Sequence, residues 1–180
     1  MDAIAPIDEM YVFSALMMGY AQACKNLNIV AGKEAHHLID NLEMGKWYPL
    51  SRWNELERQV LRSYRNPDAI LVKVGIEMMQ GWYHQGPGRS LIKRGADFLR
   101  FQTSSGGFES VVRGPRHVVG SFDLLLCDEA KGIAHIRSTT PFNRKMECGV
   151  LIGGVMAPGD LDYVDVTNDE QADLLIVEFH

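Results

Sequence analysis

The sequence has no paired cysteines, no long apolar run and no cluster of basic residues, and each absence excludes a class of protein. Cys24, Cys127 and Cys148 are far apart and form no CxxC pair, so we expect reduced thiols and no disulfide framework. No apolar run approaches the roughly 20 residues that a membrane span needs. The basic residues are scattered in a chain of net charge −5, which argues against nucleic-acid binding.

The beginning of the chain lacks the pattern of a secretory signal. MDAIAPIDEM has acidic residues where a signal peptide carries positive charge. Together with the cysteine pattern, this predicts a cytoplasmic, soluble protein that associates with neither nucleic acid nor membrane. The 180 residues are enough for one domain with its own core.

Motifs of catalysis and phosphate binding are also missing. There is no GxSxG or HExxH motif, and GPGRSL lacks the third glycine of a dinucleotide-binding loop. Acidic residues occur together in DEAKG and NDEQ, which are typical of solvated turns. Because no nucleophile, base and oxyanion donor occur together, no catalytic residue is assigned and an enzyme is the least favoured interpretation.

Apolar periodicity predicts helices throughout the first half of the chain. Residues 8–25 and 33–42 have helical spacing. Pro49 is suited to the first turn of a helix in which Trp53, Leu56 and Val60 share one face. Asn66-Pro67 ends that helix and begins another over 67–84, where two apolar stripes predict burial on two sides. A further helix is expected over 90–103.

After TSSGG the period changes to that of strands. HVVGSFDLLLC and IAHIRSTT read as one hairpin, and LDYVDVT and ADLLIVEFH as a second, with a helix over 142–157 between them. The predicted fold class is α+β, with a helical N-terminal half packed on a four-stranded antiparallel sheet. We expect one domain over 1–180, helical over about 8–103 and sheet-forming over about 117–180.

Large, soft side chains are the remaining candidates for a site. Methionine and aromatic residues at helical spacing are usually core residues, but they also line apolar ligand cavities. For a cavity between helices and sheet, the predicted lining residues are Trp53, Met78, Trp82, Phe101 and Cys148.

The histidines do not predict a metal site. His36 and His37 are neighbours, and consecutive helix positions point about 100° apart, so the two cannot easily chelate one ion. A single histidine can still be an axial heme ligand, because that role needs no motif. His36, His37 and His84 remain candidates for an axial heme ligand.

Several stretches together resemble known families. WYPLSRWNELERQVL, a helix containing ILVKVGIEMM, and RGP before a hairpin resemble a bacterial domain of unknown function that has many paralogues in myxobacteria. MECGVLIGGVM followed by two strands is similar to the end of the 4-vinyl reductase domain. That group is related in fold to the heme–nitric-oxide/oxygen binding domains and to TRAPP trafficking subunits. The resemblance covers about residues 30–180.

The departures from these families concern their cofactors. The last hairpin, DVTNDEQADLLIVEF, lacks the cysteines that can hold zinc in 4-vinyl reductase domains. RSLIKRGADFLRF has no histidine where the related heme domains carry their proximal ligand. Of their Tyr-x-Ser-x-Arg motif, IAHIRSTT keeps Arg137 and Ser138 without a tyrosine in register.

The resemblance implies a ligand-sensing or protein-interaction domain more than an enzyme. Our first hypothesis is a cytoplasmic sensory domain that holds a small apolar or amphipathic molecule between helices and sheet and signals through a protein partner. Two alternatives stay open. The first is a heme-binding gas or redox sensor. The second is a scaffold or homodimerisation module without a ligand, since aromatic residues are enriched in interfaces.

Overall fold

A computed structural model describes residues 9–180, which form eight α-helices and seven short strands. Residues 1–8 lie outside this range, and with them most of the segment that argued against a signal peptide. The helices are α1 (Ser14–Asn26), α2 (Lys33–Asp40), α3 (Leu50–Leu61), α4 (Asp68–His84), α5 (Gly88–Leu91), α6 (Gly95–Gln102), α7 (Arg116–Val119) and α8 (Arg144–Met156). The strands are β1 (Tyr11–Phe13), β2 (Trp47–Pro49), β3 (Val112–Arg113), β4 (Phe122–Asp128), β5 (Ile133–Ser138), β6 (Val164–Asp169) and β7 (Leu174–Phe179).

The larger sheet has four antiparallel strands in the order β4-β5-β7-β6. Its inner face is built by alternation: Ala134, Ile136, Leu175 and Val177 are completely buried, whereas neighbours such as Arg137 are exposed. The predicted α+β class and the strand–strand–helix–strand–strand order of the second half are confirmed.

A second, three-stranded sheet was not predicted. Strand β1 pairs with β2 and with β3, in the order β2-β1-β3. These strands have two or three residues each, too few to show an alternating pattern. The sheet ties the beginning of α1 to the beginning of α3 and to the segment before β4.

Helix α8 lies between the sheet and the other helices. It packs on α4 and also against α6 and β6, and Leu151 and Val155 are completely buried. Helix α4 packs on α8 and on α1, which agrees with the two apolar stripes of its sequence. One continuous hydrophobic core includes Met17 and Trp53 from the helices and Ile136 and Val177 from the sheet.

Glycines bring α4 and α8 into backbone contact. A β-carbon at Gly149 would meet the backbone oxygen of Val72, and one at Gly75 would meet that of Met146. A β-carbon at Gly153 would come within 2.7 Å of the Ile76 backbone. The two helices therefore touch without side chains between them, and no space for a ligand lies along this crossing.

The helix predicted over 90–103 is interrupted. Ile92 is extended, with φ −130° and ψ 148°, and its side chain is buried. Helix α6 begins after Arg94, whose backbone N–H donates to Asp97 at 3.0 Å. This cap starts a new helix, whereas the Ser90 hydroxyl donates to the carbonyl of Pro87.

Candidate functional site

The five predicted lining residues occupy three places in the fold. Trp82 and Phe101 are neighbours at the junction of α4 and α6, with Met78 one turn before Trp82 on α4. Trp53 belongs to a separate aromatic cluster on α3. Cys148 lies on α8, a helix with two buried faces. The structure thus brings three of the five onto one pair of helices.

Trp82 and Phe101 form a stacked, half-buried ring pair. Their centroids are 5.3 Å apart and their planes 27° apart, an offset geometry that aromatic pairs favour. Phe98 meets the Trp82 ring edge-on at 5.9 Å. Gly88 lies under the indole, because a β-carbon there would approach its ring to 2.9 Å. Both residues are partly exposed.

Trp53 lies deep in the core, with 1% of its surface exposed. Tyr20 is 4.8 Å away on one side and Phe142 is 5.0 Å away on the other. Phe142 in turn meets Phe108. This row of rings connects α1 and α3 to the loop before α8, and it joins the helical and sheet halves.

Cys148 and Cys24 are buried thiols. Burial raises the pKa of Cys148 to about 11 and that of Cys24 to about 12. Both thiols are therefore protonated at neutral pH, and protonated thiols are poor nucleophiles and poor metal ligands. Among residues 9–180, no group of three His, Cys, Asp or Glu side chains is placed to hold a metal ion.

These environments predict that the native protein has one accessible thiol. Cys127 is half-buried on β4 beside Arg100, whereas Cys24 and Cys148 are shielded by the core. We expect an aromatic disulfide reagent to modify one thiol per chain in buffer and three in urea. A Cys127→Ser control should reduce the native count to zero. Rapid native modification of Cys148 would contradict its burial.

A buried polar network, which the sequence did not reveal, joins β5 to α8. Glu147 is 5% exposed and accepts from the Ser138 hydroxyl at 2.8 Å, from Arg144 Nη1 at 2.8 Å and from the Thr140 hydroxyl. Arg144 Nη2 also donates to the Ser138 carbonyl at 2.8 Å. Burial raises the pKa of the Glu147 carboxyl, and Arg144 and the hydroxyls oppose that shift. The three donors are close together in sequence: Ser138 ends β5, Thr140 follows it, and Arg144 begins α8. That closeness was the available sequence signal.

None of the six histidines is buried. His36 and His37 lie exposed on α2, and His84 is exposed at the end of α4, within 3.1 Å of Gln80 and 2.9 Å of Arg89. His135 is half-buried on the outer face of the sheet. Each histidine faces away from the core between helices and sheet.

Two clefts lie at the surface of the described residues. The first, of about 270 Å³, is lined by residues that include Arg94, Glu129, Lys131 and Asp160. The second, of about 210 Å³, lies between the segment 108–116 and the beginning of β4. Neither cleft is lined by any of the five predicted residues.

The architecture matches solved structures over nearly its whole length. One comes from work on how protein-induced porphyrin distortion modulates heme redox potential. Its TM-score is 0.66 at 13% sequence identity, and the match covers 92% of this chain and 94% of that chain. The chain has the H-NOX fold. An oxygen-binding H-NOX domain related to soluble guanylate cyclases, in its oxygen complex, gives 0.61 at 13% identity over 92% and 94%.

A third structure, from work on H-NOX activation, gives a TM-score of 0.59 at 13% identity, covering 91% of this chain and 94% of that one. No family model matches the sequence, and the curated proteins contain no significant match. At this identity the H-NOX likeness is one of fold.

Among residues 9–180, the core offers neither a histidine nor a thiolate to a heme. Every histidine is half-buried or exposed and the buried thiols are held protonated, so Tyr20 and the methionines are the buried side chains of a type that can ligate heme iron. Ser138 and Arg144 already bind a carboxylate, that of Glu147, so they are not free for a heme propionate. Arg137 points outward and pairs with Asp123 at 3.4 Å.

Among residues 9–180, no helix has both the length and the apolar character to cross a bilayer.

Proposed function

We propose that this chain is a cytoplasmic sensory domain that binds a small apolar or amphipathic molecule and signals through a protein partner. Its H-NOX fold supports the proposal, because neighbours of that fold are described as binding heme and oxygen. The observation that carries it is the half-buried ring pair of Trp82 and Phe101. Membership of the myxobacterial paralogous group and kinship with 4-vinyl reductase domains are parts of the same proposal.

The ring pair is the part of the proposed site that a ligand reaches first. Planar apolar molecules stack on exposed aromatic faces, and a methionine behind them adapts its shape to the ligand. Met78 supplies that backing one turn along α4. Trp53 and Cys148 have no exposed face for a ligand. In the proposal they form inner walls that a ligand contacts only after the core rearranges.

A molecule bound at the ring pair should co-purify with the protein. We expect mass spectrometry of a solvent extract of purified protein to show a small apolar compound, and Trp82→Ala to reduce its amount at least about tenfold, since a buried aromatic contact is worth a few kcal/mol. Trp47→Ala, at a half-buried tryptophan remote from the pair in sequence, is the matched control. Equal loss from both variants, or no compound in any preparation, would contradict the site.

A heme sensor is the second candidate, and the H-NOX fold is the observation that favours it. Since the described core offers neither a histidine nor a thiolate, the heme ligands of this candidate are the predicted surface histidines His36, His37 and His84. An absorbance scan after addition of hemin decides: a Soret band that His84→Ala or the His36→Ala/His37→Ala double variant removes would establish this function. Under our proposal no such band forms.

A further inference from the structure

The outer face of the four-stranded sheet has an aliphatic patch at its centre. Directly opposite residues of neighbouring strands lie on the same face. The register therefore places four residues in the middle row across this face, which are Leu126, His135, Ile176 and Thr167. Leu126 is 44% exposed, and Ile133 and Leu174, in the two flanking rows, are half-buried. Arg137 and Glu178 of the two central strands are exposed on this face, so it is open to solvent.

An aspartate occupies each of the four corners of this outer face. The corner residues, at the ends of the two flanking rows, are Asp123, Asp128, Asp165 and Asp169. Asp123 is 3.4 Å from Arg137, and Asp128 is 3.4 Å from Lys131. Among residues 9–180, the two aspartates on β6 and Glu178 on β7 have no ion pair. The β6 side of the face therefore carries three uncompensated negative charges beside the aliphatic patch.

Both edges of this sheet are poorly suited to pairing with a further strand. Strand β6, at one edge, carries the two unpaired aspartates, and charged side chains on an edge strand discourage strand addition. Strand β4, at the other edge, shifts its register between Leu124 and Leu126. Such a bulge bends the strand and disrupts a regular ladder. A partner therefore packs on the face, and the element that covers a sheet face in layered proteins is a helix.

The charge of the outer face selects among possible partners. A second copy of this chain would bring the same aspartates against each other, and like charges across an interface are unfavourable. An anionic membrane surface is repelled for the same reason. A basic protein segment is attracted, and the net charge of −5 adds to that attraction at longer range.

We propose that this outer face docks an amphipathic, basic helix of a protein partner. The apolar stripe of that helix covers Leu126, Ile133 and Ile176, and its lysine or arginine side chains pair with the acids on β6 and β7. The inference deepens the proposed function and rests on it, because it names the surface that binds the signalling partner. The sheet spans about 14 Å from β4 to β6, which accommodates one helix of about 10 Å diameter. A contact of this size gives a weak, reversible complex.

A synthetic leucine–lysine helix is the probe, and fluorescence anisotropy of the labelled peptide with the full chain is the measurement. The peptide has about 15 residues, near the length at which isolated helices form, with leucine on one face and lysine on the other. One control peptide has glutamate in place of lysine, and a second has the same composition in an order that forms no apolar face. We expect saturable binding of the leucine–lysine helix, at least about tenfold tighter than that of either control.

Equal binding of the glutamate peptide would show that the acidic border does not select the partner. Equal binding of the reordered peptide would show only a general attraction of cations to an acidic protein. Either result would overturn the proposal. A dimer in sedimentation that Leu126→Lys abolishes would assign the face to a second copy of the chain, and that would also overturn it.

Substitutions on the outer face locate the binding. Leu126→Lys places a cation in the aliphatic patch and should weaken binding of the leucine–lysine helix about tenfold or more. Leu91→Lys, at an exposed leucine of α5, is the matched control and should leave binding unchanged. The double variant Asp165→Asn/Asp169→Asn should weaken binding roughly two- to fivefold and reduce its salt dependence, whereas Asp40→Asn, at an exposed acid of α2, should change neither. Thermal melts confirm that each variant is folded. Equal effects of the two lysine variants would place the peptide elsewhere and overturn the proposal.

Failure of the docking face is distinguishable from failure of the proposed function. If extracts contain a small molecule that depends on Trp82 while the leucine–lysine helix does not bind, the ligand site stands and the docking face falls. If the helix binds in a way that depends on Leu126 but no extract contains a compound, the docking face stands and the ligand site falls.

Discussion

Replacing Gly149 by alanine is expected to lower the free energy of unfolding by about 3 kcal/mol. The new β-carbon would collide with the backbone oxygen of Val72 and lie 3.0 Å from Gly75 Cα. Because these are backbone atoms, no rotamer change relieves the collision, and α4 must separate from α8. The better helix propensity of alanine recovers at most about 1 kcal/mol.

Thermal and urea unfolding measure this effect. For a chain of this size, 3 kcal/mol corresponds to a fall in Tm of roughly 10 °C. Gly81→Ala is the matched control, since Gly81 lies within α4 and a β-carbon there has nothing within 4 Å. That control should be neutral or more stable than the native protein. If Gly149→Ala has the same Tm as Gly81→Ala, α4 and α8 are not in backbone contact.

Glu147→Ala should cost about 3–5 kcal/mol, the usual penalty for removing one partner of a buried ion pair. The substitution leaves Arg144 without its carboxylate and removes the acceptor of the Ser138 and Thr140 hydroxyls. Strand β5 and α8 then lose the link between them. Urea unfolding measures the loss, and Glu55→Ala, at an ion pair with Arg58 on the surface, should change stability little. A similar small change for both would show that the buried network contributes no stability.

The same carboxyl predicts how stability depends on pH. Burial raises the pKa of Glu147 above its ordinary value of 4.5. As pH rises from that value, the unfolded chain loses this proton before the folded chain does, so the Glu147 contribution to stability falls until its folded pKa is passed. Glu147→Gln, which cannot titrate, should remove this component from a plot of stability against pH. If the Glu147 contribution to stability instead rises with pH, Arg144 lowers the pKa of Glu147 more than burial raises it.

The boundary between α3 and α4 was predictable from the sequence. Asn66-Pro67 separates α3 from α4, and Asn66 accepts from the Asp68 N–H at 3.3 Å. Pro49 lies just before α3, in an extended conformation, one residue from its predicted place. Proline and asparagine act through nearby backbone groups, so their effect is visible in a single sequence.

The ring pair and the stacking of Arg113 on Trp47 and Tyr11 were less accessible to prediction. Trp53 lies in the first turn of α3 and Trp82 in the last turn of α4. Trp82 is half-buried and Trp53 is enclosed, because different elements cover them. Arg113 carries no local sign of its stacking on Trp47 and Tyr11, which are far away in sequence. Contacts of this kind depend on which distant segments meet.

The sequence by itself determined the α+β class, the change from helices to strands near residue 105, the hairpins and the apolar faces of α3 and α4, because periodicity and turn chemistry operate within a few residues. Only the tertiary structure decided that β1, β2 and β3 form a sheet, that glycines close α4 onto α8, and that Glu147 is buried among three donors. Those outcomes follow from close packing between segments far apart in the chain, where the position of each surface is set by all the others.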